Sequence, residues 1–232
     1  MFIPDIVYIV REGDDNEELR YSLRSICANL RHEKVWMVGY RPSWVANSVE
    51  FVRAPSPEGK WEGASARMRA ACESPRIPEN FLYFNDDFFV MRPVSEVPVL
   101  NLGSLHTHIE HLRGSQKYKD SLMETYRFLR KRKQPRELSP ISYELHVPLP
   151  VRKEGMLKAI EEAREVRRPQ CRSLYGNIHK IAGILAGDCK VVSRARGAPY
   201  GPFVSTTDSS FNNGLIGKQL RAKFPDPCRY ET

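Results

Sequence analysis

Two adjacent aspartates follow a strongly apolar segment in the first half of the chain. Residues Phe81–Phe84 are all large and apolar, and Asn85, Asp86 and Asp87 come directly after them. Open α/β sheets bind ligands at the carboxyl ends of their strands, where these side chains are expected to lie. Adjacent carboxylates can hold Mg²⁺ or Mn²⁺, and the cation can bridge a diphosphate. This chemistry suits a glycosyl or phosphosugar donor whose nucleotide departs, whereas a turn or helix cap is the structural alternative.

The segments around these aspartates alternate between predicted strands and helices. Ile3–Val10 is rich in β-branched and aromatic residues, which predicts a central strand buried on both faces. Glu17 and Glu18 suit the positive end of a helix that follows. Four apolar residues on one side of that helix recur at spacings of four, three and four: Leu19, Leu23, Ile26 and Leu30. The alternation predicts right-handed βαβ units and an α/β fold with a mostly parallel sheet.

The remaining segments complete this α/β prediction, and the second half of the chain is the more helical one. Short strands are expected at Lys34–Gly39 and Val49–Val52, and Pro140–Pro150 is expected to be extended. Helices are expected at Trp61–Cys72, Gln116–Lys133, Lys153–Val166, Leu174–Leu185 and Asn213–Phe224. The sequence has no internal repeat and no low-complexity linker, so we expect one domain over residues 1–232.

Composition and charge narrow the class of protein. The chain has 232 residues, of which 41% are hydrophobic and 28% charged, enough for one substantial core. No apolar run approaches the roughly 20 residues that span a bilayer, and the amino terminus lacks a secretory pattern, so a soluble cytoplasmic protein is expected. A net charge of +8 favours polyanionic partners such as nucleotides or nucleic acid. Five scattered cysteines without CxxC spacing are expected to be free thiols: Cys27, Cys72, Cys171, Cys189 and Cys228.

Several motifs, kept in order along nearly the whole chain, resemble those of the Stealth family. The first two conserved regions of the family are resembled by Asp5–Tyr8, Glu18–Ile26 and Phe81–Phe89. The third region is resembled by His146-Val147-Pro148 with Arg172-Ser173, and the fourth by Thr207-Asp208 with Phe224–Glu231. The family includes capsular polysaccharide phosphotransferases and the lysosomal-enzyme N-acetylglucosamine-1-phosphotransferase.

The resemblance implies a nucleotide-sugar-binding fold of the glycosyltransferase A type, which is Rossmann-like. It also implies transfer of sugar-1-phosphate from a nucleotide-sugar donor to a hydroxyl acceptor. Metal-linked carboxylates that hold Mg²⁺ or Mn²⁺ are implied at Asp87 and Asp208, with Asp208 also close to the chemistry. Asn85 and Asp86 would then lie beside the metal and contact the donor.

The resemblance further implies His146 as the catalytic acid or base and Arg172 as a clamp on phosphate. Histidine titrates near neutral pH and can accept the proton of an acceptor hydroxyl. Arginine offers a planar fork to phosphate oxygens. Taken singly, a histidine before Val147-Pro148 and one arginine among many also have structural explanations, so the joint pattern carries these assignments.

Two positions depart from the family pattern. The first region normally ends in Trp-Val-Asp-Gly, whereas Val10-Arg11-Glu12-Gly13 stands here, which moves an acidic contact to Glu12 or removes it. The fourth region normally carries Asn-Asp, and Thr207 replaces the asparagine. These changes leave two reactions open, attack at phosphorus with transfer of sugar-1-phosphate and attack at the anomeric carbon with transfer of the sugar.

Three further basic side chains are candidates for donor contacts. Lys60 precedes a predicted helix, where it can contact donor phosphate or close the loop. Arg20 and Arg24 lie one turn apart on the first predicted helix and can face either the nucleotide or solvent.

Two other patterns have both a functional and a structural explanation. The basic segment 127–136, interleaved with aromatic residues, can track a phosphate backbone or complement a helix dipole. An H-x-H-x-x-H pattern can bind a transition metal, line an acceptor loop or lie at the surface; its residues are His106, His108 and His111.

Three hypotheses follow, of which the first two are enzymes and the third belongs to another class. The first is a metal-dependent transferase that uses a nucleotide-sugar and a hydroxyl acceptor such as a polysaccharide. The second keeps this donor site but acts on hydroxylated bases of DNA, as the positive charge allows. The third is a basic binding module that retains the fold without the chemistry.

Overall fold

The structure is a computed structural model that describes residues 3–13, 15–55, 57, 59–132 and 139–232. The strands of the described chain are β1 Asp5–Val10, β2 Val35–Gly39, β3 Glu50–Arg53, β4 Asn80–Phe84, β5 Phe88–Val90, β6 Leu100–Asn101, β7 Leu149–Arg152, β8 Ile184–Leu185, β9 Lys190–Val191 and β10 Phe203–Thr206. Its helices are α1 Glu17–Asn29, α2 Lys60–Glu73, α3 Leu105–His111, α4 Gln116–Arg132, α5 Lys153–Glu162, α6 Cys171–Ile178, α7 Asp208–Asn213 and α8 Leu215–Lys223.

The central sheet has five strands in the order β3-β2-β1-β4-β7. The first four are parallel, and β7 pairs antiparallel with β4 at one edge. All six residues of β1 are buried, as expected for the middle strand of a parallel sheet covered on both faces. The prediction of an α/β fold with a mostly parallel sheet flanked by helices is therefore confirmed.

Alternate residues of β1 point into two apolar clusters on opposite faces of the sheet. Val7 and Ile9 belong to the cluster that α2, α5 and α6 cover. Ile6 and Tyr8 belong to the cluster on the other face, which α1 covers with the predicted apolar residues of its inner side. This two-sided packing fixes the register of β1, because a shift by one residue would exchange the two sets.

A second, three-stranded sheet has the order β5-β10-β9 and lies beyond the end of β4. Strand β10 pairs antiparallel with β5 and parallel with β9. Because β5 follows β4 after only three residues, this sheet carries β9 and β10 to the carboxyl end of the central sheet. The beginning of α7 comes to the same place.

The predicted helix Leu174–Leu185 is wrong in its second half. Helix α6 ends at Ile178, and Lys180 then adopts a left-handed conformation with φ of 50°. The chain continues as β8, where Ile184 N donates to Val99 O at 2.9 Å. The apolar residues of this stretch fit a helical period, but their backbone pairs with another segment of the chain, which a local pattern does not reveal.

Two other boundaries differ from prediction. The expected helix Asn213–Phe224 is part of a pair, α7 and α8, that meets at Gly214. A Cβ atom at Gly214 would lie 2.3 Å from Ser210 O, so only glycine fits this close turn. The segment Pro140–Pro150 is extended, but it forms strand structure only from Leu149 onward. Lys133, the last residue of the predicted fourth helix, lies outside the described residues.

The C-terminal segment is fastened to α1 by buried charges. Arg24 Nε lies 2.7 Å from Glu231 Oε1, and Arg24 Nη2 lies 2.8 Å from Glu231 Oε2. Arg20 Nη1 adds a third bond to Glu231 at 3.1 Å. Arg24 Nη1 also donates to the carbonyls of Phe224 and Pro225 at 3.1 and 2.9 Å. The Glu231 side chain is only 2% exposed, so these bonds hold a desolvated carboxylate.

We predict that Glu231→Gln lowers the free energy of unfolding by about 3 kcal/mol near pH 7, because it leaves buried arginines without their counter-charge. Burial alone would raise the pKa of Glu231, but bonds from Arg24 and the Cys228 backbone lower it below 4.5. The stability that Glu231 contributes is therefore complete above about pH 4.5 and is lost as the pH falls through the folded-state pKa. Urea unfolding of both proteins across this range measures it, and a difference independent of pH would contradict the assignment.

No helix in the described part of the chain is long and apolar enough to cross a membrane.

Candidate functional site

Four carboxylates from three parts of the chain come together at the carboxyl end of the central sheet. Asp86 and Asp87 follow β4, Glu18 lies in the first turn of α1, and Asp208 begins α7 after β10. Burial first, and then the charges of the other three, raise the pKa of Glu18 to about 7, while a hydrogen bond from Thr206 acts in the opposite direction. The four side chains are therefore close enough for their negative charges to act on one another.

A cavity of about 390 Å³ opens onto this cluster. We call it the acidic cavity; its lining includes five acidic residues, Glu12, Glu17, Glu18, Asp86 and Asp208, together with the cation Arg11, Asn16 and Phe211. Desolvation and the neighbouring charge of Asp87 raise the pKa of Asp86. Asn16 counters this by donating to Asp86 Oδ2 at 2.8 Å, while its own Oδ1 accepts from Leu19 N and caps α1. One asparagine thus fixes both the start of the helix and the orientation of the carboxylate.

Asp87 faces the second sheet. Its Oδ2 atom lies 3.0 Å from Lys190 Nζ in β9 and accepts from Ser205 Oγ in β10 at 2.8 Å. Asn85 completes the turn between β4 and β5, because its carbonyl accepts from Phe88 N at 3.3 Å. Asp86 and Asp208 line the acidic cavity, and Asp87 is held beside it by the ammonium group of Lys190.

A second cavity of about 520 Å³ lies at the carboxyl ends of β1, β2 and β3. We call it the arginine cavity; among its lining residues are Gly39, Tyr40, Arg41, Phe51, Arg53 and Arg67. Glu12 lines this cavity and the acidic cavity, so the two adjoin. Together they form one cleft along the edge of the parallel sheet.

Arg67 is the unusual group in the arginine cavity. It is only 5% exposed, its Nε atom has no hydrogen-bond partner, and no ion pair joins it to an acidic residue of the described chain. Burial lowers the pKa of Arg67, although the charge of Asp86 acts in the opposite direction. Gly39, with φ of 109°, makes room for it, because a Cβ atom there would lie 2.3 Å from Arg67 Cδ. Because a buried guanidinium without a counter-charge is unfavourable, Arg67 is suited to binding an anion.

His146 forms a pair with Asp188. Its Nδ1 atom lies 2.8 Å from Asp188 Oδ2, and its backbone N donates to Asp188 Oδ1 at 3.0 Å. Burial would raise the pKa of Asp188, but the hydrogen bond and charge of His146 and the charge of Lys190 lower it. Since Asp188 is two residues from Lys190, this pair is linked through β9 to Asp87.

Arg172 lies inside the protein and lines neither cavity. Its guanidinium donates to Val147 O and packs against two rings, 5.4 Å from the centre of Tyr83 and 5.7 Å from that of Phe88. Its Nε atom is buried without a partner. In this geometry Arg172 supports the loop that carries His146 and the strand that precedes Asp86.

His146, like Arg172, lines neither cavity, and the other sequence candidates also lie apart from the cleft. Arg24 is bonded to Glu231 in the C-terminal segment. Arg20 is also bonded to Glu231, and its guanidinium stacks on Trp44 at 4.2 Å. Both arginines therefore have structural partners in place of the expected contact with the nucleotide. Lys60 is exposed and lines a separate cavity beside Tyr118.

The three histidines of the H-x-H-x-x-H pattern turn to different partners. His106 pairs with Glu110, His108 with Ser142 and His111 with Thr107 O. Within the described ranges, no group of three or more His, Cys, Asp or Glu side chains is close enough to hold a metal by itself. The five cysteines are free, as expected.

Comparison with solved structures places the fold. A galactosyltransferase, LgtC, in complex with donor and acceptor sugar analogues is similar over 96% of both chains, with a TM-score of 0.56 and 10% identity. An active-site mutant of LgtC matches over 81% of this chain and 75% of its own, with a TM-score of 0.49 and 11% identity. The glycosyltransferase GlyE of Streptococcus pneumoniae TIGR4 matches over 96% and 50%, with a TM-score of 0.39 and 11% identity.

The first of these similarities shows that the chain has the glycosyltransferase A fold, as expected. No protein-family model and no curated protein matches the sequence.

Sequence reasoning missed four groups of this site. Glu18 was expected only at the positive end of a helix and within a family-like segment, Arg67 was not singled out, and Asp188 and Lys190 carry no signal of their own. Arg67 was detectable in principle, since it falls on the apolar side of α2 near Met68 and Ala71. Asp188 and Lys190 sit in an irregular segment whose position depends on pairing with β10.

We predict that Glu18→Gln stabilises the metal-free protein above pH 7 and has little effect near pH 4.5. The ordinary carboxyl pKa of 4.5 rises to about 7 in the folded state. The folded protein therefore binds this proton more tightly, and its stability relative to the variant declines as the pH rises from about 4.5 to about 7. Urea unfolding in the presence of a chelator measures the difference. Glu17→Gln, which removes the partner of Arg221, is the matched control, and a flat difference for Glu18→Gln would contradict the prediction.

Proposed function

We propose that this protein transfers a sugar from a nucleotide-sugar donor to a hydroxyl acceptor, and that one catalytic domain over residues 1–232 does so. The observation that carries the proposal is the adjoining pair of cavities at the carboxyl edge of a glycosyltransferase A fold. One cavity contains an unpaired buried arginine and aromatic side chains, and the other contains clustered carboxylates. A nucleoside diphosphate sugar has matching parts: a planar base, an anionic diphosphate and a polyhydroxylated ring.

In this proposal the two cavities bind different parts of the donor. The nucleoside occupies the arginine cavity, where Tyr40 and Phe51 offer apolar surface. The diphosphate lies toward Arg67, whose guanidinium then gains the charge-assisted bonds that it lacks. The sugar lies in the acidic cavity, where Asp86 and Asp208 can accept hydrogen bonds from its hydroxyls.

The carboxylates also suit a divalent cation. Burial first, and then the charges of Asp87, Asp86 and Asp208, raise the pKa of Glu18, and a bound cation would offset the contribution of these charges. Mg²⁺ commonly binds through one or two carboxylates together with substrate phosphates, so a complete protein cage is unnecessary. Asp86 and Asp208 would hold it, with Oδ1 of Asp87 nearby, since both bonds of Asp87 to Lys190 and Ser205 use Oδ2. When bound, Mg²⁺ or Mn²⁺ would neutralise charge on the departing nucleotide.

His146 is the proposed base for the acceptor hydroxyl. Its bond to Asp188 through Nδ1 fixes the tautomer, which leaves Nε2 to take a proton. In this proposal Asp188 positions the ring, and Lys190 connects that pair to Asp87. The phosphosugar variant implied by the Stealth resemblance keeps His146 and Asp208 but attacks phosphorus instead of carbon. It uses Asp87 as the second metal ligand and Arg172, which lines neither cavity, as the phosphate clamp.

The proposal is tested by Arg67→Met in a thermal unfolding assay with a panel of nucleotide-sugars, with and without Mn²⁺. Because Arg67 is buried without an ion pair, the variant should be as stable as the parent or more stable. Its donor affinity should fall by about 10- to 100-fold, since charge-assisted bonds to the diphosphate are lost. A ligand that binds only the folded state raises the melting temperature, so the shift measures this affinity.

Arg69→Met is the matched control, because it removes an arginine from the same helix but one that pairs with Glu73 and Glu161 at the surface. The control should bind donor like the parent. Asp86→Asn should remove the part of the shift that depends on Mn²⁺. Equal shifts in Arg67→Met and parent would refute the assignment of the diphosphate, and no shift with any donor would favour the binding-module hypothesis.

A further inference from the structure

The connection between β9 and β10 lies beside the acidic cavity. We call residues 192–202 the basic loop. The strands on either side of it carry Lys190 and Ser205, and both of these side chains bond to Asp87 Oδ2. Because β9 and β10 are parallel, the loop begins beside Thr206, two residues before Asp208, and ends beside β5, where Met91 N donates to Pro202 O.

The basic loop is held in place by the helices that follow it. Arg194 Nε donates to Ser209 Oγ at 2.8 Å, next to Asp208, and Leu215 N donates to Arg194 O at 2.8 Å. Further along the loop, Ala198 N donates to Gln219 Oε1 at 2.8 Å. The loop and helices α7 and α8 therefore form one continuous surface.

This surface is strongly one-sided in charge. Residues 190–224 contain six lysines and arginines but a single acidic residue, Asp208, which belongs to the acidic cavity. The six are Lys190, Arg194, Arg196, Lys218, Arg221 and Lys223. Two of them are already paired, Lys190 with Asp87 and Arg221 with Glu17. Arg194 and Arg196 remain exposed on the loop itself.

The same surface exposes apolar and aromatic groups. Tyr200 is 99% exposed, and its ring stacks with the guanidinium of Arg92 at 5.2 Å. Val192 is 65% exposed at the start of the loop, and Leu215 is exposed at the start of α8. An exposed aromatic ring stacked with an arginine, on a loop that also exposes Arg194 and Arg196, offers both a stacking platform and a phosphate-binding surface.

We propose that the basic loop binds a single-stranded nucleic acid, which presents the acceptor hydroxyl to the acidic cavity. Arg194 and Arg196 contact backbone phosphates, and an unstacked base lies on Tyr200. The exposed ring of Tyr200 favours a nucleic acid, whose bases are planar, over an acidic polysaccharide, which has charge but no flat aromatic faces. The inference rests on the proposed function only in giving the strand the role of acceptor, because binding of the strand requires neither donor nor catalysis.

The test is fluorescence anisotropy with a labelled DNA strand of about 16 nucleotides, titrated at several salt concentrations from about 50 to about 200 mM. Affinity should fall as salt rises. The double variant Arg194→Gln/Arg196→Gln should make the slope of log K against log salt less negative by about 1.4, because each phosphate contact to a single strand contributes about 0.7 to that slope. Tyr200→Ala should weaken binding by about fivefold or more, and Tyr200→Phe should restore it.

The matched control is Arg127→Gln/Lys131→Gln, which removes two cations from the basic run of α4. It should leave affinity unchanged; if it removes binding and the loop variant does not, the proposed surface is wrong. Competition with heparin separates polyanion chemistry from base stacking. Displacement by heparin in equal measure from the parent and Tyr200→Ala, with no effect of Tyr200→Ala on DNA affinity, would overturn the choice of nucleic acid.

The nucleotide-sugar shift, measured on the same loop variants, distinguishes this inference from the proposed function. Loop variants that bind no DNA but keep the full donor shift support a separate acceptor surface. A parent protein that shows the donor shift but no salt-dependent DNA binding overturns the basic-loop inference alone.

Discussion

The ion pair between Asp87 and Lys190 joins the end of the central sheet to the second sheet. The three-residue link between β4 and β5 requires the second sheet to start at the carboxyl edge of β4, and Lys190 and Ser205 then close it over Asp87. Several features follow from this connection. It brings Asp208 to the cluster through β10, it carries Asp188, just before β9, to His146, and it starts the loop of residues 192–202 next to α7.

The cleft is built on a separation of charge. Asp86, Asp208 and Glu18 concentrate negative charge in the acidic cavity, while Arg67 holds an uncompensated positive charge in the neighbouring arginine cavity. Both arrangements carry a cost, because Arg67 is buried without an ion pair and the half-buried carboxylates of Asp86 and Glu18 repel one another. Each is relieved by part of the same ligand, a diphosphate at Arg67 and a cation or sugar hydroxyls at the carboxylates. This complementarity is the physical reason to regard the two cavities as one site.

The strands and helices of the first half were predictable because burial on both faces leaves a strong apolar signal. Strand β1 and helix α1 are examples, since their patterns are set by local periodicity. Asp86 and Asp208 were also predictable as candidates, the first from its place after a strand and the second from family resemblance. The roles of Arg67, Asp188 and Lys190 were not, because each depends on a contact with a distant segment. The same limit explains α6, whose apolar continuation pairs as β8 instead of extending the helix.

The central claim is that this cleft binds and activates a nucleotide-sugar. The most direct test is to incubate the protein with a panel of nucleotide-sugars and Mg²⁺ or Mn²⁺, without acceptor, and to identify the nucleotide released as water takes the place of the hydroxyl. Release of a nucleoside diphosphate with free sugar is predicted for sugar transfer, and a nucleoside monophosphate with sugar-1-phosphate would indicate attack at phosphorus. Either product should disappear in Asp86→Asn. No release from any donor by the folded parent protein, or equal release by the parent and Asp86→Asn, would contradict the account.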